Sequence, residues 1–400
     1  MRPASMRRDA AANMPISSIH VGLVARGDIN YALDLSHELV AGCEISLTLY
    51  LPLAHAIRVL GDREDPAVSL LKAGLPSDRF RIRLIDLPRM RDPRSIRVLQ
   101  RLAQTMRQDR IDVAHILIGP DELWLAVLAL LLRDLPVIST MIVPKPNAGE
   151  RIPFVVCWAI QKLLASASDF IVVNGADQVQ IVEQLYRYPS NRMVHIPLSV
   201  RHQVTPGLPE SVLEEPGTIL FFGRAEPHKG LEYLIRAQPL ISEAVPEARI
   251  LISAHGSDLA RCRGLIRDLS KFEITDGLVS NRAMDTAFRR ASVVALPYLS
   301  ASTSGVLMTA YSHLKPVVAT RVGSIPEYVE NGATGILVAP ADVEQLAEAI
   351  IRLTADDALR SEMKRNIEDW LAERRASAGR KALEAYQRAI LQHYGYLSEH

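Results

Sequence analysis

Two cations stand close together in Thr218 to Gly230, TILFFGRAEPHKG. Arg224 offers a planar fork of N–H donors and Lys229 a compact point charge, and both suit phosphate oxygens. Ahead of them, Ile219 to Phe222 is an apolar run that reads as a buried parallel strand, broken at Gly223. Behind them a helix opens at Gly230, with Leu231, Leu234, Ile235 and Ile241 at helical spacing. In an open parallel sheet, ligands bind beyond the carboxyl ends of the strands. A helix N-terminus adds unpaired N–H groups and partial positive charge. The chemistry that fits is capture of an anion, above all a diphosphate. The plain alternative is two solvated surface cations.

A second stretch of the same kind is Ser302-Thr303-Ser304-Gly305-Val306-Leu307. It follows an expected strand, Ser292 to Pro297, and precedes a helix over Met308 to Ser312. Small residues there let backbone amides close on a phosphate, although a turn that merely closes a βα unit would look the same. Glu327, in Val322-Gly323-Ser324-Ile325-Pro326-Glu327, either caps a loop or touches a ligand. His115 ends the strand-like Ile111 to Ile116 and is either a core histidine or part of an active site. No paired-carboxylate motif of the glycosidase kind is evident, and no metal-ligand spacing is visible.

The elements that must hold these groups alternate strand and helix. His20 to Ala25 is the first strand, Arg26 to Asn30 its turn and Tyr31 to Leu39 a helix, with Glu44 to Tyr50 as the next strand. This is a Rossmann-like βαβ start. Further strands are expected at Arg81–Leu87, Val137–Met141, Ser168–Val173, Ala248–Ser253, Phe272–Val279 and Val317–Thr320. A basic amphipathic helix is expected over Ser95–Gln108; its charged face is either solvated or turned to an acceptor or a membrane. Asp342, three residues before Gln345, opens a capping box for the helix 343–354, and a long terminal helix runs over Arg374–His393.

With 400 residues and 48% apolar content, the chain can fill two ordinary cores. A net charge of +1 disfavours nucleic acid as a partner. Cys43, Cys157 and Cys262 lie far apart and read as reduced, buried thiols. The basic leader MRPASMRRDAAANM is followed by no long apolar stretch, unlike a signal peptide. The apolar run Leu123 to Leu132 is too short to cross a bilayer and reads as a core helix.

Two segments carry a family resemblance. TILFFGRAEPHKG resembles the "FxGRxxxxKG" segment of family-4 retaining glycosyltransferases of the GT-B fold. The second match runs from Pro297-Tyr298 through Ser304-Gly305-Val306 to AYSHLKPVVATRVGSIPEYVENGATGILV, Ala310 to Val338. The resemblance is strong over roughly residues 165–355. It implies an α/β chain with two Rossmann-like parallel-sheet domains facing across a cleft. The basic leader reads as disordered (1–17), and 201–217, with three prolines and two glycines, reads as a linker; the resemblance makes 18–200 an acceptor-side domain, 218–372 a nucleotide-sugar domain and 373–400 a C-terminal helix packing back on the first domain.

The activity implied is sugar transfer from a nucleoside-diphosphate-sugar to a glycan or lipid-linked acceptor, with retention, in polysaccharide or glycoconjugate biosynthesis. Arg224 and Lys229 would be catalytic. Gly27, Gly223, Ser304, Gly305, Val306, Thr309 and Glu327 would bind the donor, and the strand and helix around Phe272–Val279 and Asp285–Arg290 would hold its base. His115, Asn147 and Glu150 would face the acceptor. No metal or other cofactor is expected, and the location implied is cytoplasmic, with peripheral contact at the inner face of the membrane.

The sequence also departs from the family. It has one glycine, Gly27, where relatives have a pair. Met141, Ile142 and Asn147 stand at histidine-containing positions, and Pro197-Leu198-Ser199 replaces "PHG". The two glutamates of E-x7-E are Ala301 and Thr309. These losses keep a rival reading open: a catalytically impaired relative that binds nucleotide or glycan, or scaffolds an assembly.

Overall fold

A computed structural model describes residues 19–27, 29–43, 45–54, 56, 78–86, 92, 94–120, 122–146, 153–199 and 212–395. They divide into two compact units. One takes residues up to Pro146, then 153–199 and Arg375 onwards; the other takes 212–374.

The first unit is built on a seven-stranded sheet. Its strands are β1 (His20–Ala25), β2 (Ser46–Pro52), β3 (Phe80–Ile85), β4 (Val113–Ile118), β5 (Val137–Met141), β6 (Phe170–Val173) and β7 (Met193–His195). Their order is β3-β2-β1-β4-β5-β6-β7, all parallel. The central strands are buried on both faces, which is why β4, VAHILI, reads as a continuous apolar run. Helix α1 (Ile29–Cys43) packs on one face. Helices α2 (Arg94–Gln108), α3 (Leu123–Leu131), α4 (Phe154–Ala167) and α5 (Ala176–Tyr186) cover the other.

The second unit has six parallel strands. They are β8 (Thr218–Arg224), β9 (Arg249–His255), β10 (Phe272–Asp276), β11 (Val293–Leu296), β12 (Val317–Thr320) and β13 (Gly335–Val338), in the order β10-β9-β8-β11-β12-β13. Its helices are α6 (Leu231–Ala244), α7 (Leu259–Arg263), α8 (Asn281–Arg290), α9 (Gly305–Ser312), α10 (Ile325–Tyr328) and α11 (Val343–Ala355). The chain ends in α12 (Asp357–His393). The order reverses beside β8, where β8 lies between β9 and β11. That is the switch point at which parallel sheets open a crevice.

Several expectations need adjusting. The terminal helix begins at Asp357, not Arg374, because charged residues around Trp370 hide its periodicity. Its alanines Ala378, Ala382, Ala385 and Ala389 are buried in the first unit's core. Gly379 fits against α1 so closely that a Cβ would lie 2.9 Å from the Glu38 carbonyl oxygen. The helix expected from Asp285 starts at Asn281, capped by Ser280. The C-terminal end of the expected linker is pinned to the second unit: the Glu215 amide donates to the Arg290 carbonyl, and their side chains pair at 2.6 Å. Asp342 caps α11 by accepting from the Gln345 amide at 2.9 Å. All three cysteines are free and buried. Among the described residues, no helix is long and apolar enough to cross a membrane, and no cluster of three metal-ligating side chains occurs.

Candidate functional site

The site lies in the second unit, where β8, β9, β11 and β12 end and their loops interlock. Glycines make the interlocking possible. Gly230 has φ +66°, and a Cβ there would lie 1.9 Å from the Pro297 carbonyl oxygen. Gly323 has φ +49° and would place a Cβ 1.7 Å from that of Ala301. Both are left-handed positions against backbone, which side chains cannot share. Hydrogen bonds tie the same loops. The Leu299 amide donates to the His228 carbonyl, Ser324 to that of Ser302, and Asp258 to that of Ala225.

On this frame Arg224 is exposed at the end of β8, and no described residue pairs with its guanidinium. Lys229 ends a short 3-10 turn, Pro227–Lys229. Its Nζ lies 3.8 Å from the centroid of the Tyr298 ring, an attraction between cation and ring face. Tyr298 is buried, and burial pushes its phenol up to about 12. Its hydroxyl stands 3.3 Å from Ser304 Oγ.

Ser304 caps α9, its Oγ accepting from the Leu307 amide. The space beside Gly305 is open: a Cβ there would meet nothing within 4 Å. A Cβ on Gly223 would lie 3.5 Å from Val306 Cγ2, so the end of β8 and the start of α9 converge. Arg224, Lys229 and the N-terminus of α9 thus concentrate positive charge at one sheet end.

Thr309 is turned into its own helix, donating to the Gly305 carbonyl at 3.0 Å. Glu327 lies on α10, just past the loop that Gly323 packs against Ala301. His228 is a residue the motif did not single out. Its side chain is buried beside the cations, and its ring nitrogens make no hydrogen bond among the described residues. Burial first, then Lys229 and Arg224, hold its pKa down at about 4. Its burial has no sequence signal, because it depends on a 3-10 turn inside a polar loop. A cavity of about 400 Å³ lies between α8 and strands β9 and β10, lined by Ser253, Thr275, Ser280 and Arg282 among others. It adjoins the strand and helix expected to hold a base.

The first unit's candidates are placed differently. His115 is fully buried in β4. Its Nδ1 lies 2.8 Å from Tyr386 Oη and its Nε2 2.7 Å from Thr140 Oγ1, and burial lowers its pKa to about 3. That is a neutral histidine bonded on both sides, joining β4, β5 and α12. Gly27 follows β1, and a Cβ there would lie 3.3 Å from Glu122 Oε1. A buried carboxylate therefore faces the loop expected to approach the donor phosphates. Asn147 and Glu150 lie outside the described residues.

Known proteins agree with this architecture. The family model described as "Glycosyl transferases group 1" matches residues 216–356, and the "Glycosyl transferase 4-like domain" model matches residues 30–199. The D-inositol 3-phosphate glycosyltransferase of Pseudarthrobacter chlorophenolicus is 33% identical over 196 residues, 46% of this chain and 46% of the relative. An exopolysaccharide phosphotransferase of Streptomyces coelicolor is 32% identical over 199 residues, 49% of this chain and 21% of the relative. The chain spans about half the length, or less, of the curated relatives it matches.

Among solved structures, Anabaena HepE in complex with UDP and glucose aligns with TM-score 0.65 at 12% identity, covering 91% of this chain and 98% of that one. A glycosyltransferase of Rickettsia africae aligns with TM-score 0.63 at 15% identity, covering 93% and 99%. At such identities the likeness is one of fold, and the fold is GT-B. Two parallel-sheet units, each matched by its own model in the same order along the sequence, leave one assignment: the chain belongs to the glycosyl transferases group 1 family.

Proposed function

We propose that the chain transfers a sugar from a nucleoside-diphosphate-sugar to a glycan or lipid-linked acceptor in polysaccharide or glycoconjugate biosynthesis, with retention of configuration. The observation that carries this is the convergence of Arg224, Lys229 and the N-terminus of α9 at one sheet end, set by the Gly223–Val306 approach. The bond from the anomeric carbon to the diphosphate breaks with its electron pair moving to the phosphate oxygen. Preorganised cations and N–H dipoles lower the barrier where that charge builds. On the same face the acceptor oxygen attacks, and a donor phosphate oxygen takes its proton. No side-chain base and no metal is invoked. Acting on a lipid-linked acceptor requires the chain to meet the membrane surface, and the reading is of a cytoplasmic protein in peripheral contact with the inner face. The relative named for UDP and glucose makes uridine nucleotides the first donors to try.

The test is nucleotide-induced thermal stabilisation with UDP, GDP and ADP and their sugars, on wild type and Arg224→Ala. A ligand at about 100 times its Kd stabilises by about 2.7 kcal/mol. A shift with one nucleotide, lost in the variant, supports the reading; no shift with any nucleotide removes it.

One observation favours a second reading, a binding or scaffold protein without turnover. Ala301 has no carboxylate, and the Thr309 hydroxyl is tied to its own helix, so neither supplies a carboxylate for donor hydroxyls. Nucleotide binding without release of free diphosphate in the presence of any acceptor would select it.

A further inference from the structure

The first unit exposes apolar side chains where its helices begin. Among its described residues, Ile96, Leu123, Phe154, Val155, Val156 and Trp158 are exposed, Val155 at 70%. All lie in the first two turns of α2, α3 or α4. These three helices pack side by side on one face of the sheet. Each enters from the carboxyl end of a strand, so their first turns share that rim. Apolar side chains gathered along one rim of a domain mark an interaction site.

Charge singles out the partner. The three helices carry Arg94, Arg97, Arg101, Arg107 and Lys162 and no carboxylate at all, in a chain whose net charge is only +1. Arg94 is paired with Asp92 and Arg107 with Asp134. The exposed guanidinium groups of Arg97 and Arg101 pair with no described residue. Two of the chain's three tryptophans, Trp124 and Trp158, lie on α3 and α4. Trp158 is anchored at its edge by donating Nε1–H to the Leu185 carbonyl, and still exposes much of its ring. Exposed cations on α2, with aliphatic and indole side chains on the neighbouring α3 and on α4 beyond it, suit the headgroup region of an anionic bilayer. A second copy fits poorly: a two-fold contact sets a patch against itself, and these helices hold no carboxylate to meet Arg97 or Arg101.

We propose that the rim formed by the first turns of α2, α3 and α4 docks on an anionic lipid bilayer. This deepens the lipid-linked-acceptor reading on which it rests, by naming the surface that meets the lipid.

The experiment is co-sedimentation of the full chain with vesicles of phosphatidylcholine alone or with about 30% phosphatidylglycerol, at low and high salt. The expected result is binding to the anionic vesicles only, weakened about tenfold or more by raising salt to about 0.5 M, where the screening length falls below the spacing of the charges. Arg97→Glu with Arg101→Glu, and separately Val155→Glu with Val156→Glu, should each cut binding by about tenfold or more. Both double variants should keep the wild-type melting temperature and nucleotide-induced shift. That readout belongs to the second unit, so loss of the donor site and loss of the docking surface are separable. Three outcomes would overturn the proposal: wild type that ignores anionic vesicles, vesicle binding unchanged in both double variants, or concentration-dependent self-association that the valine variants abolish in place of vesicle binding.

Discussion

The ammonium of Lys229 and the ring of Tyr298, 3.8 Å apart, join the two halves of the candidate site. Tyr298 also reaches the cap of α9 through Ser304, so one buried ring holds a cation on one side and a helix N-terminus on the other. A long lysine side chain already held in place loses less entropy when a ligand arrives. Tyr298→Phe keeps the ring, so nucleotide affinity should change little. Tyr298→Leu removes the ring face, worth about 0.5–2 kcal/mol, which is roughly 2- to 30-fold in affinity. Isothermal titration of the two variants with the nucleotide that stabilises the wild type compares them directly. Equal loss in both would move the effect from the ring to the hydroxyl.

The glycines of the site should separate into two kinds. Gly230→Ala drives a methyl into the Pro297 carbonyl from a left-handed backbone and should cost about 3 kcal/mol or more, in the range of combined strain and overpacking. Gly305→Ala meets open space at the start of a helix and should leave the melting temperature unchanged or slightly raised. Its methyl would, however, occupy the space proposed for the phosphate. A normal melt combined with a lost nucleotide shift is expected for Gly305→Ala. An undiminished shift would place the phosphate elsewhere.

The second unit was legible in the sequence because its strands are buried on both faces and so read as short apolar runs, TILFF and VVAT among them, each ending where a glycine or a polar residue breaks the run. The cations of the site were legible for the same reason: they follow directly on the strand end. What joins them was not. Tyr298 reaches Lys229 only once β8 and β11 pair, and the burial of His228 depends on a 3-10 turn that polar loop composition conceals. His115 shows the limit of local reading in the first unit. Its strand was evident, but its partner Tyr386 lies 271 residues further along. The packing of α12, which brings Tyr386 to Nδ1, is what makes it a core histidine with both ring nitrogens engaged.

Two buried imidazoles set the acid side of the stability profile. His115 and His228 have folded-state pKa values lowered to about 3 and about 4. The unfolded chain takes up their protons below about pH 6.5, while the folded chain does not. The sign follows: stability is level above about pH 7 and falls as pH drops toward 4, by up to about 1.4 kcal/mol per pH unit for each histidine. Denaturant melts between pH 7 and pH 4.5 should show this slope. His228→Gln should flatten it for the second unit and His115→Gln for the first. A slope unchanged in both variants would assign acid sensitivity to other groups.

The last prediction concerns Glu214. Its carboxylate accepts from Lys315 Nζ at 2.6 Å and Lys364 Nζ at 2.8 Å, with Arg360 Nε at 3.9 Å. Burial alone would raise its pKa, but the two lysines outweigh that and hold it below the ordinary value. Lys315 is buried and also donates to the Arg289 carbonyl. It stands two residues before β12, at the amino end of that strand, while the site lies at the carboxyl ends of the same sheet. Glu214→Gln leaves the Lys315 ammonium with a weak neutral partner. Removing one member of a buried pair costs about 3–5 kcal/mol, and somewhat less is expected here because Glu214 is only half-buried. The loss should be fully present at neutral pH. In the wild type it should develop as pH falls from the unfolded carboxyl value through the lowered pKa of Glu214, because a carboxylate stabilised in the fold contributes fully above its unfolded value and loses that contribution between the two. The double variant Glu214→Gln with Lys315→Met separates the cost of a stranded charge from that of lost packing. If the stranded ammonium is the cause, the double variant recovers most of the stability that Glu214→Gln alone removes.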